Sequence, residues 1–137
     1  MSTPIHPIME LLNRDRRYKL EAYQFVREAL DYAHRALGMG SSQPVPAGQE
    51  PPPEAHLTGQ QLCEAIRQFA VSQFGYLAMT VLNNWGVHAT GDFGEIVYNL
   101  IDINEMRKSD SDRREDFDDV YDFEEAFVRQ FDIQLPK

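Results

Sequence analysis

Apolar residues recur every three or four positions along most of this chain, and that spacing divides it into helices before any other feature is considered. Over residues 20–37, Ala22, Phe25, Val26, Ala29, Leu30, Ala33 and Leu37 fall on one side of a helical period, with Gly38 and Gly40 as the stop. A shorter pattern precedes it, with Ile8, Leu11 and Leu12 sharing one side of residues 5–12.

Thr58 and Gln61 have the form of a capping box, in which each side chain satisfies the other's backbone amide at a helix start. Leu62, Ile66, Phe69 and Ala70 then repeat with helical spacing, which predicts a helix over 59–73. Gly75 interrupts it, and Leu77, Val81, Leu82 and Trp85 make a second apolar stripe that ends at Gly86. The third helix of this central trio opens at Thr90. There Asp92 and Glu95 are placed to meet free backbone donors and the positive end of the helix dipole, while Phe93, Ile96, Val97, Leu100 and Ile101 face inward.

The form Asp-Phe-x-acid at residue 92 returns at 116 and 122, at intervals of 24 and 6 residues. These are repeated helix starts, since an internal repeat would keep a fixed period. A last helix is expected over about 123–130, carrying Phe127 and Phe131.

Residues 38–57 break the pattern. They hold five of the eight prolines (Pro44, Pro46, Pro51, Pro52, Pro53) with Ser, Gln and Gly and almost nothing able to pack, which predicts a flexible loop. A PxxP-type ligand is the functional alternative for this stretch.

With 137 residues, 42% of them hydrophobic, and eight Phe and six Tyr, the chain has the size and apolar content of one folded domain. Thirteen basic against 22 acidic side chains give a net charge of −9, so the average surface repels a phosphate backbone. Cys63 is the single cysteine, which excludes an internal disulfide and any CxxC arrangement and fits a reducing cytoplasm. The first twelve residues lack the basic start and apolar run of an export signal, and no stretch has the length of a membrane span, so neither export nor a membrane is expected.

Several constellations suggest chemistry and then fail on context. Asp92, Phe93 and Gly94 spell the kinase magnesium tripeptide, but no glycine-rich phosphate loop, strand lysine or catalytic loop accompanies them; helix capping explains them better. The acid run Asp110, Asp112, Glu115, Asp116, Asp118 and Asp119 invites a calcium ion. An EF-hand loop begun at Asp110 would place Arg114 at a ligand position, Glu115 where the turn needs glycine and Tyr121 where a bidentate glutamate belongs. His6, His34, His56 and His88 lack metal-ligand spacing, and no motif implies a cofactor. Cys63 with His56 or His88 is the one thiol and imidazole set from which an enzyme could be built, and no local signature supports it.

Three helices followed by residues 106–109 and 120–123 have the order of a winged helix, a helical trio with a small β-hairpin. Its third helix would then read nucleic acid, yet that helix's outer stripe is Asp92, Glu95, Asn99 and Asp102, the wrong charge for phosphate. The dense basic group, Arg14, Arg16, Arg17 and Lys19, is the other contact candidate, suited to an acidic partner or RNA, with a solvated inter-helix turn as the plain alternative.

The segments LEAYQFV at 20–26, TGQQLC at 58–63, WGVHATGDFGE at 85–95 with IVYNL at 96–100, and residues 116–127 resemble a small-protein family of planctomycetes and verrucomicrobia. The resemblance spans nearly all of the chain outside the proline-rich stretch. It implies a bacterial, cytoplasmic protein, and because that family has no assigned activity it transfers no site residue.

The expectation is therefore a mainly α domain of about five to six helices, with a winged-helix-like hairpin after the third central helix as a variant. Its expected role is that of a non-enzymatic protein-interaction module whose partner is another protein. A nucleic-acid-associated regulator is the first alternative and an enzyme using a Cys/His site the second.

Overall fold

The computed structural model describes residues 7–38, 57–106 and 113–129. Five α-helices run through them: α1 (Pro7–Arg14), α2 (Leu20–Arg35), α3 (Gly59–Phe74), α4 (Ala78–Asn84) and α5 (Thr90–Asp102). The fold is mainly helical.

Local chemistry sets the helix ends. Pro7 occupies the first position of α1, where its missing N–H costs nothing. At the start of α3, Thr58 Oγ1 accepts from the Gln61 amide at 3.1 Å and Gln61 Oε1 accepts from the Thr58 amide at 3.0 Å, the predicted capping box. Gly75 and Gly86 adopt φ of +56° and +95°, so they end α3 and the segment after α4 in the left-handed half of backbone space. A 3-10 turn, Gly75–Leu77, makes the elbow between α3 and α4. Asn104, at φ +62°, ends α5, and the amides of Glu105 and Met106 turn back to the Leu100 carbonyl at 2.8 and 3.2 Å.

One core holds these elements together. α2 lies against α3 and α5, and a 3-10 turn, Arg114–Phe117, packs on α5 and α3. Leu11, Tyr23, Val26, Cys63, Ile66, Leu82, Phe93, Ile96, Leu100 and Phe127 are buried in a single cluster. Aromatic rings form two groups within and around it. Phe25 stacks with Phe69, Phe74 and Trp85 at centroid separations of 5.1 to 5.6 Å, and Phe123 joins Phe93 at 5.7 Å and Phe127 at 5.1 Å.

The hairpin expected after α5 is not supported. No strand forms among the described residues; of the expected second arm, residues 120–122 run as irregular chain and Phe123 already begins the last helical turn. Their groups are spent elsewhere: the Val120 amide donates to Thr90 Oγ1 at 3.1 Å, and the Tyr121 hydroxyl donates to the Cys63 carbonyl at 2.8 Å. Asp119, at φ +51°, bends the chain just before them. In the first arm Met106 closes the end of α5, and residues 107–109 lie outside the described residues.

Two further boundaries differ from expectation. The last helix widens into a π turn, Glu125–Arg129, with Phe127 fully buried; Gln130 and Phe131 lie outside the described residues. Leu77, expected on the inner stripe of α4, is 47% exposed, because the elbow rotates it outward before α4 begins. The loop predicted over 38–57 falls almost wholly on residues 39–56, outside the described residues.

Candidate functional site

The two contact groups picked out in the sequence meet each other. The turn after α1 lies against the outer stripe of α5. Arg14 Nη2 donates to Asp102 Oδ2 at 3.1 Å, and the Arg17 guanidinium stands 3.6 Å from Glu95 Oε2. Between them is Asp15, which was not in either group. It accepts from Arg17 Nη2 at 2.7 Å and from Asn99 Nδ2 at 3.0 Å. Asn99 also donates to the Tyr23 hydroxyl oxygen at 3.2 Å. The Arg17 hydrogen bonds, helped by that of Asn99, hold the Asp15 carboxyl well below the usual range against the opposing effect of burial.

Asp92 is occupied twice. One oxygen accepts the Tyr18 hydroxyl at 2.6 Å, and the other accepts the amides of His88 at 2.9 Å and Ala89 at 3.2 Å at the start of α5. Glu95, expected to serve the same helix start, instead bridges two cations, since Arg114 Nη2 donates to it at 3.1 Å while Arg114 Nη1 reaches Asp118 at 2.8 Å. The acid stripe of α5 is thus answered by Arg14, Arg17 and Arg114 of the same chain. Arg16 and Lys19 are exposed and have no ion-pair partner among the described residues.

The same local chemistry accounts for the Asp-Phe part of the repeated form. Phe93, Phe117 and Phe123 are all buried, and each preceding aspartate binds a nearby backbone amide. Asp92 and Asp116 reach back three residues, to Ala89 and Arg113, whereas Asp122 reaches forward to Glu125. Gly94 has a packing role: a Cβ there would lie 2.8 Å from Phe117 Cβ and 2.9 Å from an Arg114 nitrogen.

Cys63 is fully buried at 0% exposure, and burial, then the charge of Glu64, pushes its thiol up to about 12. A nucleophilic thiol needs the opposite, a neighbour that favours the thiolate. His88 is exposed, His34 lies on α2, and His6 and His56 lie outside the described residues. No group of three or more His, Cys, Asp or Glu among the described residues has a metal-binding arrangement. An open groove on the outer side of α2 is lined by Gln24, Arg27, Glu28, Asp31, Tyr32 and Phe69. Its cations are already paired, Arg27 with Glu105 at 3.4 Å and Arg35 with Asp31 at 3.0 Å. Among the described residues, no helix is long and apolar enough to cross a membrane.

A different surface stands out once the fold is known. Residues 68–91 contain no Asp, Glu, Lys or Arg, although a 26% charged chain would place about six there. These residues form the second half of α3, the elbow, α4 and the turn into α5. Tyr76 is 70% exposed and Leu77 47% exposed at the elbow, followed by exposed Thr80 and Asn84 on the outside of α4. Phe69, Phe74, Met79 and Trp85, in the same run, are partly buried against the core. The charge-free run is visible in the sequence, but a periodicity reading absorbs its apolar residues into the core. Exposure is what separates Tyr76 and Leu77 from Leu82.

No protein-family model, curated protein or solved structure matches the chain.

Proposed function

We propose that this chain is a non-enzymatic, cytoplasmic protein-interaction module that docks through the charge-free end formed by the α3–α4 elbow. The observation that carries the reading is Tyr76 and Leu77 standing exposed in a 24-residue run without a formal charge. The centres of protein interfaces are depleted in charge and enriched in Tyr, Trp, Phe and Met, and this end has that composition. The position of the elbow supports it too: its backbone is fixed on both sides by helices, so docking need not order it.

Nucleic-acid contact is disfavoured by the same chemistry. Arg14 and Arg17 each sit against a carboxylate, of Asp102 and Asp15, whose negative charge offsets theirs toward a phosphate. The thiol of Cys63 is shielded from any substrate.

The test is a photo-crosslinking side chain at position 80, in the full chain, in its native cells. Protein adducts that disappear when Tyr76→Glu and Leu77→Glu are added support the reading. Adducts to nucleic acid alone, or protein adducts indifferent to both substitutions, overturn it.

A further inference from the structure

Resting on that reading, we infer that in the unbound protein the α3–α4 elbow is occupied by residues 130–137 of the same chain, which an incoming protein must displace. Those residues follow directly on the π turn Glu125–Arg129, and that turn packs against both the elbow and α4. The stretch from Gln130 to Leu135 spans up to about 20 Å when extended, so Tyr76 and Leu77 are within its reach. A segment attached this close acts at an effective concentration on the order of millimolar, which a separate molecule has to outcompete.

Composition singles out this segment. Outside the described residues the chain has one Phe, Tyr or Trp, and it is Phe131. Phe131, Ile133 and Leu135 alternate with Asp132 and Gln134, so an extended backbone would present all three apolar side chains on one side. Asp132 and Lys137 cancel to no net charge, which suits a face free of Asp, Glu, Lys and Arg. Tyr76 and Leu77, 70% and 47% exposed, are the apolar groups that such a stripe would meet.

Photo-crosslinking from position 80 of the purified full chain tests this, because trypsin cutting after Arg129 releases residues 130–137 as one peptide. Light and isotope-labelled chains are mixed, so that a contact within one chain joins peptides of matching label. The 130–137 peptide is expected among the adducts, light with light and heavy with heavy. Phe131→Asp with Ile133→Asp is expected to lower its yield at least about tenfold, and circular dichroism should leave that double variant helical. In native cells the same variant is expected to raise protein adducts at position 80 at least about threefold, since the competitor is gone. Absence of the peptide from the parent's adducts overturns the inference, as do adducts that join light to heavy chains only, or a double variant that leaves both yields unchanged. If the peptide is missing while protein adducts form in cells, the docking surface still stands. If the peptide is captured but no protein adduct forms in cells even with the double variant, the intrachain contact stands and the docking reading falls.

Discussion

The Tyr18 hydroxyl donates to Asp92 Oδ1 at 2.6 Å, across 74 residues of sequence, and so fastens the turn before α2 to the first turn of α5. Tyr18 is 3% exposed, and Asp92 uses its other oxygen to cap α5. One carboxylate therefore serves a tertiary contact and a helix end at once.

Removing it should cost both. Asp92→Ala is expected to lower the unfolding free energy by about 2–4 kcal/mol, a cap plus a charge-assisted hydrogen bond. Tyr18→Phe should cost about 1 kcal/mol, because the carboxylate keeps its amides. Urea denaturation of both single variants and the double variant checks this. Strict additivity would mean that the hydroxyl and carboxylate do not act together.

Acid and alkali should act on different groups. Asp15 has its folded value depressed, first by the Arg17 hydrogen bond, while the unfolded chain titrates near the ordinary Asp value of about 3.9. Its contribution to stability is complete above that value and is lost as pH falls below it toward the folded value. Asp15→Asn should therefore be less stable than the parent at pH 7 and decline less steeply below about pH 4. Parallel acid limbs for the two proteins would contradict this.

Cys63 has the opposite sign. Its thiol rises from an ordinary 9.0 to about 12, so the stability linked to its neutral form is complete below the unfolded value and lost as pH climbs through that window. At pH 8, thiol labelling of the folded protein should be at least about 100-fold slower than in urea. Fast labelling of folded protein would mean that the thiol is accessible.

Gly94→Ala sets two effects against each other. Alanine favours a helix interior over glycine by about 1 kcal/mol, but its methyl would sit 2.8 Å from Phe117 Cβ. Overpacking should win, with a net loss of about 1–2 kcal/mol. A rise in thermal midpoint would show that the turn Arg114–Phe117 gives way easily.

Thr90→Val keeps the shape of a side chain that is 1% exposed and removes the acceptor of the Val120 amide. The expected cost is about 1–2 kcal/mol. Hydrogen exchange should quicken at Val120 before it does in α2.

Helix starts were legible in the sequence because their causes are local. Thr58 and Gln61 lie three residues apart, and so do Ala89 and Asp92; each pair decides an amide within its own turn. Pairing between turns left no such trace. Arg17 and Glu95 read as two separate faces, one basic and one acidic, since nothing in their spacing says that the turn after α1 returns to α5. Leu77 misleads for a related reason: it has the right period for the core stripe, and only the 3-10 geometry of the elbow turns it outward. Residues 120–123 carry β-favouring Val, Tyr and Phe, yet the amide and hydroxyl partners of Val120 and Tyr121 are Thr90 and the Cys63 carbonyl, on two different helices.

The 74-residue separation of Tyr18 and Asp92 also sets a clock for the newly made chain. At about 5–20 residues per second, a ribosome that has just finished Tyr18 needs about 4–15 s more to deliver Asp92. Throughout that interval the faces of α1 and α2 that carry Leu11 and Tyr23 have no α5 to close over them. The charged side chains of the turn after α1, three arginines and a lysine around Asp15, keep that early segment solvated in the meantime, before Arg14 and Arg17 take up their places against α5.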